Sequence, residues 1–105
     1  MSYECIRYET RDGVALITLN RPEVLNAMNR QLWIEFEEVL ETVRRDPAVK
    51  VLIITGEGRA FSSGADLKES KTRTPEAYRD YLEGLQAVSR KIIGFEKPTI
   101  AAING

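Results

Sequence analysis

Apolar residues recur along this chain at two periods, and each predicts an element. Residues 3–10 suit a strand, Arg11-Asp12-Gly13 signals a turn, and Val14-Ala15-Leu16-Ile17-Thr18-Leu19 is a second β-rich run, so the first 19 residues predict a hairpin. Asn20-Arg21-Pro22-Glu23 then breaks the strand, because Pro22 removes a ladder donor and biases Arg21 toward extended or turn backbone. Residues 20–27 read as a loop.

Met28, Leu32, Phe36, Val39, Leu40 and Val43 then return at helical spacing, with Glu35, Glu37, Glu38, Glu41, Arg44 and Arg45 on what reads as a solvated face. Asn29 is the expected N-cap, the acids precede the bases as the helix dipole prefers, and Asp46-Pro47 ends the element. Residues 49–55 are nearly all apolar or β-branched, which predicts a strand covered on both faces. Residues 56–70 read as a loop. Thr74-Pro75-Glu76 opens a second helix with a cap, a first-turn proline and an early acid. Its apolar face runs through Tyr78, Tyr81, Leu82, Leu85, Val88, Ile92 and Ile93, interrupted by Gly84, which tight packing would explain, and Gly94 is a C-terminal signal. Residues 98–103 begin another short strand, and Asn104-Gly105 is a turn signal. Strand, strand, helix, strand, helix, strand in that order implies an α/β fold with helical crossovers between parallel strands.

Composition narrows the chemistry. With 105 residues, 15 basic and 16 acidic side chains and a formal charge of −1, the chain forms at most one small core and carries no basic field for nucleic acid or a membrane surface. The single cysteine, Cys5, cannot form an internal disulfide and agrees with a reducing compartment, so a cytoplasmic location is expected. The first seven residues have no basic leader or apolar h-region, and no apolar run is long enough to span a bilayer. The absence of histidine removes a His general base, a Ser-His pair and a His metal ligand from these residues.

The loop after the 49–55 strand is the candidate site, since α/β proteins bind ligands beyond the carboxyl ends of parallel strands. A dinucleotide fingerprint fails, because Phe61 stands where G-x-G-x-x-G needs its third glycine after Gly56 and Gly58, and the Gly-Lys-Ser/Thr ending of a P-loop is missing. Ser62-Ser63-Gly64-Ala65-Asp66 instead reads as a backbone device. Gly64 permits an unusual φ, Ala65 offers an unobstructed N–H, and Asp66 opens a short helix with capping-box spacing to Glu69. An N–H so placed can serve an oxyanion hole. The residues alone leave this open against a plain surface turn shaped by glycines.

Three separated segments resemble the crotonase superfamily of enoyl-CoA hydratases and isomerases in order and spacing: Leu19-Asn20-Arg21-Pro22-Glu23-Val24-Leu25-Asn26-Ala27-Met28, Ala60-Phe61-Ser62-Ser63-Gly64-Ala65-Asp66-Leu67, and Lys97-Pro98-Thr99-Ile100-Ala101-Ala102-Ile103-Asn104-Gly105. The resemblance covers nearly the whole chain. It implies a ClpP/crotonase-like spiral of strand-strand-helix turns, of which residues 1–105 are the N-terminal part of the acyl-CoA-binding core. It further implies an acyl-CoA thioester substrate, with coenzyme A present only as part of that substrate, no other cofactor and no metal. Ala65 matches the first oxyanion donor; Ser62, Ser63, Gly64, Asp66, Leu67 and Lys68 match the stretch along the CoA moiety, with Lys68 near its phosphates; Leu25 matches a residue covering the nucleotide, or simply packs. Serine at 63, where many hydratases have alanine, leaves the subfamily open. A hydroxyl at Ser62 or Ser63 serves local capping or the ligand. Arg21 suits a turn-anchoring ion pair as well as a ligand contact. The second donor and the acid/base carboxylates match nothing in these residues, so this segment alone is expected to be inactive. Relatives assemble as trimers and dimers of trimers, and a homo-oligomer is expected. The alternative is a non-catalytic CoA-binding or oligomer-forming module of the same fold.

Overall fold

The structure, a computed structural model, describes residues 3–105; Met1 and Ser2 lie outside the described residues. Strands β1 (Ile6–Arg11) and β2 (Val14–Leu19) form the expected hairpin, in register from Ile6 opposite Leu19 to Arg11 opposite Val14. Asp12 and Gly13 take φ of 51° and 83°, the two left-handed residues that a tight hairpin turn needs to match strand twist. A short 3-10 turn, Pro22–Val24, follows, and Leu25 and Asn26 continue with φ of 54° and 56°.

Helix α1 (Arg30–Arg45) starts where the Asn29 side chain accepts the Leu32 N–H and ends at Asp46. It crosses over to β3 (Val51–Gly56), which pairs parallel with β2 from Val14 opposite Val51 to Leu19 opposite Gly56. The six-residue helix α2 (Leu67–Thr72) and the long α3 (Pro75–Ile93) complete a second crossover to β4 (Thr99–Ala101), parallel to β3. Thr74 caps α3 through the Ala77 N–H, with Pro75 in its first turn and Gly94 at its end. The sheet order is β1-β2-β3-β4, one antiparallel pair followed by two parallel ones.

One core lies between α1 and the sheet. Leu32, Phe36, Val39, Leu40 and Val43 meet Ile6, Ala15, Ile17, Leu19, Leu52 and Ile54, with Val88 of α3 joining from the side. Every second residue of β2 and β3 therefore faces a helix, as pleat geometry requires.

Several expectations change. Strand β3 is not covered on both faces: Leu52 and Ile54 are buried, but Val51, Ile53 and Thr55 are only partly so, because the described residues place one helical layer over the sheet. Leu16, Ile53 and Ile100 line up in register on the other face, where Ile100 is 52% exposed. On α3 only Tyr81 and Val88 of the apolar stripe are buried, whereas Tyr78, Leu82 and Ile93 are exposed. Gly84 is not explained by close packing either, since an added Cβ would meet nothing within 4 Å.

The largest correction concerns Glu35, which belongs to the core and not to a solvated face. It is 3% exposed, and its two carboxylate oxygens accept the Cys5 backbone N–H at 2.8 Å and the Gln31 side-chain amide at 2.8 Å. A helix and the start of β1 are thereby tied by a charge-assisted bond to an otherwise orphaned donor. Burial also raises the Cys5 thiol pKa, and the nearby Glu35 carboxylate adds to that effect.

Candidate functional site

Two loops, each following a strand of the sheet, lie side by side and build the site together. The Ser63 N–H donates to Leu25 O at 3.0 Å, the Ser62 hydroxyl donates to Asn26 O at 2.8 Å, the Met28 N–H donates to Gly64 O at 2.7 Å, and the Asp66 N–H donates to Met28 O at 3.2 Å. The last two make an isolated parallel bridge between Met28 and Ala65. Of the residues singled out from the sequence, Leu25 and 62–66 are thus brought together, largely through main-chain groups.

The geometry at Ala65 follows from peptide planarity. Gly64 C=O and Ala65 N–H belong to one trans peptide group and point in opposite directions. Because that carbonyl faces Met28, the Ala65 N–H faces away from it, and among the described residues no acceptor meets it. Ala65 is exposed, and Gly64 has φ of 100°, a conformation that favours glycine. The result is a fixed, outward-facing backbone donor.

Asp66 opens α2: its Oδ1 accepts the Lys68 N–H at 3.0 Å and the Glu69 N–H at 3.2 Å. Its Oδ2 accepts from Arg21 Nη1 at 3.0 Å, with both side chains less than one fifth exposed (17% and 13%). The Asp66 pKa is lowered, first by the Glu69 N–H, then by Arg21 and the Lys68 N–H, against a burial penalty that opposes them. The capping box is half formed, since Glu69 accepts the Arg30 N–H at 2.8 Å and pairs with Arg73. Arg73 in turn lies 3.7 Å over the Tyr81 ring, whose hydroxyl accepts the Trp33 indole N–H at 3.3 Å. Helix α2 is thereby strapped to both α1 and α3.

Ser62 acts locally, its hydroxyl also accepting the Gly64 N–H at 3.1 Å. Ser63 is exposed and reaches Val24 O at 3.4 Å. Leu67, 74% exposed, and Lys68, also exposed, face solvent beyond the ion pair. Leu25 holds a left-handed conformation in which its carbonyl faces Ser63.

The 105 residues are matched by known proteins at every level compared. The profile of the enoyl-CoA hydratase/isomerase family matches residues 9–105. This chain belongs to that family. It is 39% identical over 106 residues to a crotonyl-CoA hydratase of Syntrophomonas wolfei, across the whole chain and 41% of that protein. It is 40% identical over 108 residues to a hydroxycinnamoyl-CoA hydratase-lyase of Pseudomonas fluorescens, across 98% of the chain and 39% of that protein. Among solved structures, an enoyl-CoA hydratase/isomerase from Xanthobacter autotrophicus Py2 superposes with a TM-score of 0.91 at 40% identity, over 99% of this chain and 40% of that one. An enoyl-CoA hydratase from Bacillus anthracis gives 0.92 at 30% identity, over 97% of this chain and 40% of that one. The fold is therefore the crotonase fold, and the chain spans about two fifths of the length of these relatives.

Two residues of this hydratase/isomerase-family chain matter more to the loop than its sequence suggests. Asn26 is fully buried: its amide donates to Glu57 O at 3.0 Å and Ala60 O at 2.9 Å, and its Oδ1 accepts the Arg21 N–H at 2.7 Å. Asn104 donates to Gly56 O and Gly58 O, each at 2.9 Å, and to Ala60 O at 3.4 Å. The loop between β3 and the Ala65 donor is gripped from both sides by side-chain amides. Asn104 follows β4 in a turn-forming context and both asparagines lie in the segments that carry the family resemblance, but nothing local in the sequence reports the carbonyls they bind. Among the described residues there is no group of three His, Cys, Asp or Glu side chains arranged to hold a metal, and no helix is long and apolar enough to cross a membrane.

Proposed function

We propose that this chain is part of an enzyme that binds an acyl-CoA thioester and catalyses hydration or isomerisation of an enoyl-CoA, with the Ala65 N–H as one of two backbone donors to the thioester oxygen. The observation that carries the reading is the Ala65 donor, free of any described acceptor and aimed away from the Met28 bridge. A fixed N–H at about 2.7 to 3.1 Å from a developing enolate oxygen lowers the barrier without reorganising at the moment of reaction. The names of two relatives, a crotonyl-CoA hydratase and a hydroxycinnamoyl-CoA hydratase-lyase, support the substrate class. Residues 62–68 and Leu25 are the proposed contacts to the CoA moiety, with the Lys68 ammonium supplying charge toward its phosphates.

The second donor and the acid/base carboxylates are proposed to lie outside these 105 residues, so the segment alone turns nothing over. No metal or redox cofactor enters this chemistry. A homo-oligomer, a trimer or dimer of trimers, in the cytoplasm belongs to the same proposal; sedimentation of the full-length protein tests the assembly.

The decisive variant is Ala65→Pro in the full-length enzyme. The Met28 bridge uses Gly64 O and the Asp66 N–H, so proline at 65 removes the donor without removing a bond of the bridge. Turnover of a short enoyl-CoA, followed by loss of its conjugated absorbance, is expected to fall about 100- to 1,000-fold. Undiminished turnover in a folded Ala65→Pro protein overturns the role of Ala65. No CoA-thioester turnover by the wild-type full-length protein, with binding retained, leaves the non-catalytic CoA-binding module as the function.

A further inference from the structure

The outward N–H of Ala65 is the end of a chain of polar groups that begins at a partly buried cation. Arg21 Nη1 donates to Ala27 O at 2.6 Å. That carbonyl shares a peptide group with the Met28 N–H, which donates to Gly64 O at 2.7 Å, and that carbonyl shares a peptide group with the Ala65 N–H. Two trans peptides therefore stand in series, each accepting on one side and donating on the other.

We propose that Arg21 is a positioning and polarising residue for the Ala65 donor, acting through the Ala27–Met28 and Gly64–Ala65 peptide groups without touching substrate. The proposal rests on the oxyanion role assigned above to Ala65. Hydrogen bonds in series polarise one another, on the order of 10–30% per bond. A cation at the carbonyl end of the series draws electron density away from each N–H in turn, so the last becomes a stronger donor toward an anionic oxygen. The same guanidinium holds Asp66, the residue after Ala65, at 3.0 Å, which fixes the far side of the donor peptide. Both side chains are less than one fifth exposed, so water screens the guanidinium little, while the Asp66 carboxylate offsets part of its charge. The ion pair that the position of Arg21 suggests from sequence is present, to Asp66, and the proposal adds the polarising role to it in place of a ligand contact.

The test uses Arg21→Gln and Arg21→Lys in the full-length enzyme, with Arg11→Gln, whose side chain is 92% exposed, as a surface control. In Arg21→Gln, kcat is expected to fall about 10- to 100-fold with KM for the enoyl-CoA little changed, and Arg21→Lys is expected to recover part of the loss. Independently of turnover, the Met28 and Ala65 backbone amide resonances of labelled protein should shift together in either folded variant, while amides of β1 stay in place. KM rising at constant kcat would make Arg21 a ligand contact and overturn the proposal. So would unmoved Met28 and Ala65 amides in a folded variant. If the wild type turns over no CoA thioester, the oxyanion reading falls on that result, while the amide shifts still decide whether the relay exists.

Discussion

Helices α1 and α3 carry the same kind of apolar stripe, yet they sit in the molecule differently. The shorter one, α1, buries Leu32, Glu35, Phe36, Val39, Leu40 and Val43, while α3 buries only Tyr81 and Val88 and leaves Tyr78, Leu82 and Ile93 in the open. Periodicity reports which face a helix can bury. What it does bury depends on the partner layer, and among the described residues α1 has the sheet whereas α3 has chiefly the flank of α1. Side-chain ion pairs mark that flank: Lys91 of α3 lies 2.7 Å from Glu37 and 3.8 Å from Glu41 of α1.

Truncation separates the two helices most sharply. In the 105-residue chain, Phe36→Ala is expected to cost about 3–5 kcal/mol by urea denaturation, a large fraction of the stability of a domain of this size, whereas Leu82→Ala should stay within about 0.5 kcal/mol. Equal losses would mean that α3 packs as closely as α1. A loss at Leu82 that grows in the full-length protein would identify a covering layer supplied from elsewhere in that protein.

Glu35→Ala comes next, because it strands the Cys5 N–H in the core; about 1–3 kcal/mol should be lost, with Glu35→Gln recovering most of it since an amide oxygen can still accept. A neutral Glu35→Ala would return that carboxylate to the solvated face the sequence suggested.

The smallest effect concerns the flank. The Arg44 hydrogen bond foremost lowers the Glu41 pKa below its ordinary 4.5, against a burial penalty that raises it, and the charges of Arg44, Lys91 and Arg45 add to the lowering. A depressed folded-state pKa contributes stability that is present above the unfolded value and is lost as pH falls through the folded one. The difference in midpoint between wild type and Lys91→Met should therefore be slight at neutral pH and vanish as the solution is acidified past the carboxylate range. A difference that persists in acid would assign Lys91 a packing role through its aliphatic stem.

Much of this architecture was legible in local signals. The Asp12-Gly13 turn, the Asn29 and Thr74 caps, the Pro75 start and the Gly94 stop all depend on residues within a turn of one another, and all stand where the pattern puts them. The short helix opened by Asp66 was legible for the same reason, as was the left-handed Gly64. Glu35, Asn26 and the Arg73-Tyr81-Trp33 stack were not, since their partners lie 30 or more residues away in sequence for Cys5, Glu57 and Tyr81. A charged residue in a helix reads as solvated until something distant offers it a buried N–H. The open face of β3 was misread for a related reason: an all-apolar strand states a capacity for two layers, and the described residues supply one.

The paired grip on Ala60 O has a consequence for how the molecule is made. Asn26 precedes that carbonyl by 34 positions, and Asn104 follows it by 44. During synthesis the first clamp is ready when the loop emerges, while the second does not yet exist. An added Cβ at Gly105 would lie 2.1 Å from Arg59 O, so the late-arriving segment also has to lie flush against the loop it closes. The corner that carries Ala65 is accordingly among the last parts of these 105 residues to acquire its shape. A nascent chain carries the family's signature loop well before that loop is held from both ends.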